Sequence, residues 1–226
     1  MKLSKETISV IQNFSTINQG IEFKPGNRLS TVSPNKTILA QATVQDEFPK
    51  EFRIHDLNEF LSVHSFFQDK SVELLFEDGD EQNVYFKGGR RNLAYRTTPA
   101  GVIVTPPEKT LKIEQPDCSF TLSAEDYAEL IKSAKILTLP HIVVKSDGNK
   151  VELVVADEKN DGRHNFSIAV GEGNGRTFKI VFKEENLKMV QGSYDVQISF
   201  RGFAHFKNTN QAIEYWIAFE ANESQF

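Results

Sequence analysis

The stretch TPAGVIVTPPEKTLKIEQPD, residues 98–117, holds four prolines in 20 residues: Pro99, Pro106, Pro107 and Pro116. Each proline removes a backbone donor and pushes its predecessor out of helical space. Neither a helix nor a central strand fits that density, so these residues read as a linker. It lies at the midpoint of a 226-residue chain. At roughly 100–200 residues per domain, such a chain allows one large domain or two compact ones. The linker favours two, at 1–108 and 109–226.

The order of elements repeats on either side of it. Residues 3–18 read as a helix, with Ser4 as N-cap and Glu6 in the first turn. Leu3, Thr7, Val10, Ile11, Phe14 and Ile17 fall on one face, and Lys5, Ser9, Gln12 and Thr16 on the other. Strands are expected at 21–23, 28–32 and 37–44, divided by turns at Pro25-Gly26 and Pro34-Asn35. A second helix starts from Asp56, in DLNEFLSVHSFF, and strands follow at 71–76, 82–87 and 93–97. Beyond the linker, Ser123 caps a helix that runs to 137, and strands follow at 141–146, 150–156, 165–170 and 176–182. KEENLKMV, at 183–190, reads as a short fourth helix. Strands at 193–200, 202–207 and 212–220 close the chain. LSKE at 3–6 parallels LSAE at 122–125, and HDLNEF at 55–60 parallels ENLKMV at 185–190. The expected fold class is α+β, as two similar domains.

Composition narrows the function. The net charge is −5, which excludes a strongly basic protein that coats nucleic acid but leaves room for a local basic patch. Phe occurs 18 times, which suits a sheet-rich, layered core. The single cysteine, Cys118, supports neither a disulfide framework nor a CxxC site, and reads as a small buried or half-buried residue. The start, MKLSKETISV, has no apolar core of a secretion signal, and no apolar run approaches the length of a membrane span. The expectation is a protein of the reducing cytoplasm with no membrane partner.

Motifs for chemistry are missing. The five histidines are scattered without an HExxH or HxH pair, so no metal is expected. There is no GxSxG, no Walker-type GK[ST] and no supported Cys-His arrangement. The string Gly171-Glu172-Gly173-Asn174-Gly175 lies between two strand-like runs and reads as a hairpin loop rather than a phosphate cradle. Gly88-Gly89-Arg90-Arg91 is a basic turn open to contact with DNA or a partner, and reads first as a solvated hairpin tip. No catalytic residue and no cofactor are expected.

Five segments resemble the sliding clamps, the DNA polymerase processivity factors, of T-even-type tailed phages. They are MKLSKETISVIQNFSTINQGI at 1–21, DLNEFL at 56–61, AEDYAELIKSAKIL at 124–137, NLKMVQGSY at 186–194 and YWIAFEANESQF at 215–226. Residues 69–98 carry little of the resemblance. The resemblance implies two clamp-type domains, each with two helices backed by antiparallel sheets. It implies three subunits joined head to tail in a six-domain ring, with helices lining the hole. Such a ring encircles duplex DNA without reading its sequence and tethers the replicative DNA polymerase. An ATP-driven clamp loader opens and closes it, and the clamp itself catalyses nothing. The implied location is the cytoplasm of the infected bacterial host.

A ring of this kind needs a mildly positive inner surface, not base readout. Lys132 and Lys135, an i,i+3 pair on the solvent face of the 123–137 helix, fit best, and family members are basic at both positions. On and before the first helix the candidates are Lys2, Lys5 and Gln12; relatives tend to be basic at the Gln12 position. Lys183 and Lys188 are candidates in the second domain. The helix from Asp56 offers no lysine. The resemblance also implies an apolar pocket near the linker for a partner's tail peptide. Val102, Ile103 and Val104 are its candidate wall, and Leu39, Ile217 and Phe219 its candidate floor, with Ile217 and Phe219 equally readable as inward residues of a closing strand. The alternative function is an oligomeric phage structural or accessory protein that does not encircle DNA.

Overall fold

In the computed structural model, residues 1–67, 72–108, 111–160, 162 and 164–226 are described. Ser71, expected to open a strand, lies outside them, as do Lys109 and Thr110 of the linker and so one side of the expected 108/109 boundary. Contacts divide the chain into two units, Met1–Glu108 and Lys109–Phe226.

The first unit begins with α1 (Lys5–Ile17), whose cap is the expected Ser4: its hydroxyl accepts the Thr7 N–H at 3.1 Å. Its buried stripe is Thr7, Val10, Ile11, Phe14 and Ile17, at helical spacing. Strand β1 (Ile21–Phe23) pairs antiparallel with β4 (Phe52–Ile54), and β2 (Gly26–Val32) with β3 (Ile38–Phe48). Between them in sequence and the last sheet lies α2 (Leu57–Phe66), capped by Asp56, which accepts the N–H groups of Asn58 and Glu59. The last sheet is β5 (Glu73–Leu75), β6 (Asn83–Gly88) and β7 (Arg91–Arg96), in that order. Phenylalanines fill the layers between. Phe23 stacks on Phe52 at 4.5 Å, and Phe60 of α2 meets Phe86 at 5.1 Å. The linker is fastened to this unit. The buried Asn18 amide donates to Val32 O and Val104 O, at 2.9 and 3.1 Å. Ile103 presses on Gly20 so closely that a Cβ there would sit 2.6 Å from its Cγ2.

The second unit opens with β8 (Cys118–Leu122), followed by α3 (Ala124–Leu137). Two antiparallel sheets follow. One is ordered β11-β10-β9-β12, from β9 (His141–Asp147), β10 (Lys150–Ala156), β11 (Phe166–Glu172) and β12 (Thr177–Lys183). The other runs from β15 (Ile213–Ala218) through β14 (Phe203–Asn208) and β13 (Tyr194–Ser199) to β8. Strands β4 and β8 were not expected from the sequence.

Two expectations are corrected. KEENLKMV is not a helix: only a 3₁₀ turn, Glu184–Asn186, forms. Its entrance at Lys183 has no side-chain cap, and three tyrosines claim the backbone that a helix would use. Tyr127 Oη donates to Leu187 O and Met189 O at 2.9 and 3.2 Å. Tyr194 Oη donates to Val190 O, and the Val190 N–H donates to Tyr215 Oη. With those groups satisfied, extended chain costs nothing in lost hydrogen bonds. The described residues therefore hold three α-helices, not four. The second correction concerns Gly171–Gly175, which is no hairpin. Strands β11 and β12 are the two outer strands of their sheet, so this segment crosses over the end of the β9–β10 hairpin. The Gly173 N–H donates to Asn149 O at 2.6 Å, and the Gly175 N–H to Gly148 O at 2.9 Å. A Cβ on Gly173 would lie 2.3 Å from Gly148 O. Close approach of two backbones explains that glycine.

Candidate nucleic-acid and partner surfaces

The α3 surface starts from its cap. Ser123 Oγ accepts the Asp126 N–H at 3.0 Å and donates to the Asp126 carboxylate at 2.7 Å. Tyr127, Leu130 and Ala134 are buried, which turns Glu125, Ala128, Glu129, Lys132, Lys135 and Ile136 to solvent. The acids sit in the N-terminal half and the lysines in the C-terminal half, the order that the helix dipole favours. Neither Lys132 nor Lys135 has a carboxylate within ion-pair distance among the described residues.

On α1, Lys5, Ser9, Gln12 and Thr16 are exposed as expected. The helix start is held from β3, where Asp46 accepts the Ser4 N–H at 2.7 Å. Burial pushes the Asp46 carboxyl up, but hydrogen bonds from Thr7 and Ser4 outweigh it and hold the group below its ordinary range. Lys2 is exposed and points its ammonium to Glu73, 3.9 Å away. The exposed face of α2 carries Asn58, Glu59, Ser62, Ser65 and Phe66, without a cation. Lys183 is ion-paired with Glu220 at 3.2 Å. Lys188 is exposed, in the segment that Tyr127 holds against α3.

The expected peptide pocket is taken apart by burial. Leu39 is 5% exposed in the first unit, and Ile217 and Phe219 are 0% and 6% exposed in the second. Phe219 stands edge-on to Phe182 at 6.0 Å. These three are core residues and offer no open floor; Ile217 is an inward residue of β15, and Phe219 is buried just beyond the end of that strand. Ile103 is half-buried on Gly20, while Val102 and Val104 keep 57% and 40% of their surface. Of the three candidate wall residues the two valines keep free apolar surface, and Leu111, further along the linker, is exposed as well.

The β6–β7 tip is richer than its sequence suggests. Lys87, Arg90, Arg91 and Arg96 are all exposed on this one hairpin, and the Arg91 guanidinium lies over the exposed Phe66 ring at 5.1 Å. Strand β7 is the last of its sheet and shows an unpaired edge among the described residues. Strand β11 is likewise an end strand; it carries Glu172, and α3 with Glu125 and Glu129 packs on it. The sequence holds the charges of both strands but not their edge positions, which depend on distant pairings. Among the described residues no three His, Cys, Asp or Glu side chains gather as a metal site. Burial pushes the Cys118 thiol up to about 11.

Two α+β units, each with polar helix surfaces backed by antiparallel sheets, define a clamp-type architecture. Residues 4–105 match the family model for the DNA polymerase processivity factor, and residues 119–221 that for the gp45 sliding clamp, C terminal. The sliding clamp of Vibrio phage KVP40 is 34% identical over 227 residues, spanning 98% of this chain and 100% of the relative. That of Enterobacteria phage T4 is 27% identical and spans 99% of both. The PCNA of A. fulgidus, solved with the C-terminal region of FEN-1 bound, shares the fold with a TM-score of 0.69, at 16% identity over 94% of each chain. The chain belongs to the sliding clamp family of DNA polymerase processivity factors.

Proposed function

We propose that three copies of this chain form a closed ring that encircles duplex DNA and tethers the replicative DNA polymerase. The observation that carries this reading is the match to a phage sliding clamp along the whole length of both chains. Its two clamp domains are 1–108 and 109–226, its other partner is an ATP-driven clamp loader, and it works in the cytoplasm of the infected host. It needs no cofactor and performs no chemistry; its contribution is a topological link.

The DNA-facing set is Lys2, Lys5, Gln12, Lys132, Lys135 and Lys188, contacting phosphates without base readout. Val102 and Val104 are the docking wall for a partner's peptide. A head-to-tail ring needs two different complementary surfaces on each subunit. The arginine-bearing edge of β7 and the glutamate-flanked edge of β11 supply such a pair, and joining them covers two strand edges that are otherwise open to aggregation.

Light scattering over a hundred-fold range of concentration tests the assembly. A mass near three times 25.6 kDa is expected. A mass that stays at one subunit throughout overturns the stable ring. Loader- and ATP-dependent extension of DNA products by the phage polymerase then tests the tether.

A further inference from the structure

We infer that Met1 and the segment 220–226 act as edge covers: each closes one edge of a sheet, so that a second copy of this chain finds a single open edge on that sheet in each unit. The inference deepens the ring contact proposed above and rests on it for the identity of the partner.

The first unit's last sheet ends in β5 and β7, and the second unit's sheet of β9 to β12 ends in β11 and β12. An antiparallel end strand turns the N–H and C=O of alternate residues outward, a template on which another extended chain can pair. On β5 that row is one residue long. Leu74 O accepts from the Met1 nitrogen at 2.6 Å, and the Leu74 N–H donates to Met1 O at 2.8 Å. On β12 the outward residues at mid-strand are Lys179 and Val181. Lys179 exchanges two bonds with Gln225, both of 2.7 Å. Val181 O accepts the Glu220 N–H at 2.8 Å, and the Val181 N–H donates to Ser224 Oγ at 3.0 Å. Side chains fasten this segment. Glu223 lies 3.5 Å from both Lys159 and His141 Nε2, and the Phe226 ring stacks on Phe200 at 4.6 Å. The two covers come from 73 and 43 residues away in sequence and do the same thing in both units.

Strands β7 and β11 carry no such cover among the described residues. Charge narrows their choice. Strand β7 and its turn present Arg90, Arg91 and Arg96, while β11 brings Glu172 beside Glu125 and Glu129. Two β7 edges repel each other, as do two β11 edges, whereas β7 attracts β11. With β5 and β12 closed, head-to-tail addition is the pairing left to these two sheets, and a ring ends it. A bare β12 would offer a further site, on which copies add without closing.

The test is mass by light scattering over a hundred-fold range of concentration. Deleting residues 223–226 bares the N–H and C=O of Lys179 and the N–H of Val181. The mass should climb past that of the wild type, by at least about twofold at the highest concentration. Lys179→Pro added to the deletion removes one bared N–H and leaves the β9 pairing intact, since an edge strand tolerates proline on its outer side. It should return the mass to the wild-type value. Gln225→Pro removes one tail donor and keeps the rest, and should raise the mass in the same direction where the deletion fails to fold. Wild-type mass for both tail variants, or a gain that Lys179→Pro does not reverse, overturns the inference and leaves the ring standing. A wild type that stays at one subunit overturns the ring, and the cover is then judged by the same gain and reversal from one subunit upward.

Discussion

At the residue scale, Gly173 shows how a backbone crossing is written as a single missing side chain. Gly171, two positions earlier, would put a Cβ 3.8 Å from the Phe120 Cβ, an ordinary contact. Gly173 would put one 2.3 Å from a carbonyl oxygen, with backbone rather than a flexible side chain in the way. Gly173→Ala should therefore cost about 3 kcal/mol, by forcing the 171–175 crossing off the β9–β10 turn. Gly171→Ala should cost under about 1 kcal/mol. Urea midpoints for the two variants check this; equal midpoints would remove the steric account. The glycine string is plain in the sequence, but nothing local says that the strands on either side pair with different neighbours. A hairpin and a crossing use the same residues. The helix caps are the opposite case. Ser4, Asp56 and Ser123 act on N–H groups two or three residues ahead, so all three were legible.

At the scale of elements, segment 187–190 replaces an expected helix because Tyr127, Tyr194 and Tyr215 reach it from α3, β13 and β15. Those hydroxyls come from as far as 62 residues away in sequence, so periodicity within KEENLKMV could not reveal them. Tyr127→Phe strands the buried carbonyls of Leu187 and Met189. It should cost about 2 kcal/mol in thermal or urea unfolding, with α3 retained by circular dichroism. Burial also pushes all three phenols up, Tyr194 to about 12. An unfolded tyrosine titrates near 10. A raised folded value means that the stabilisation is complete below pH 10 and is lost as pH climbs toward and through 12. The protein should thus lose stability steeply between pH 10 and 12. Tyr194→Phe should make that loss shallower, which alkaline urea titrations would register; an unchanged slope would mean that Tyr194 does not titrate on unfolding. Strands β4 and β8 escaped the sequence reading for a related reason. Each is short and beside a turn or a cap, and each is fixed by its partner strand rather than by its own pattern.

At the scale of the whole molecule, the two-domain order and the family were legible because they rest on punctuation and on motifs spread along the chain. The surfaces that would close a ring were not, because an edge is defined by what fails to pair. The proposed contact between the β7 and β11 edges is heterologous, and that has a consequence a symmetric contact lacks. Arg91→Glu with Arg96→Glu damages one surface of each subunit and leaves the other intact. Ala169→Arg with Glu172→Arg does the reverse, on exposed positions of β11. Each variant alone brings a good surface only against a bad one at every contact, so its mass should fall toward 25.6 kDa. Mixed, the first variant's intact β11 edge meets the second's intact β7 edge. That makes one sound contact, and the pair's remaining surfaces carry opposite new charges, so they attract as well. The mixture should therefore regain an oligomeric mass by light scattering that neither variant shows alone. A self-complementary contact through either edge gives a different pattern, in which the variant with that edge intact still associates alone. A mixture that remains monomeric would show that these two edges do not meet, and would send the search for the ring contact to other surfaces of the two units.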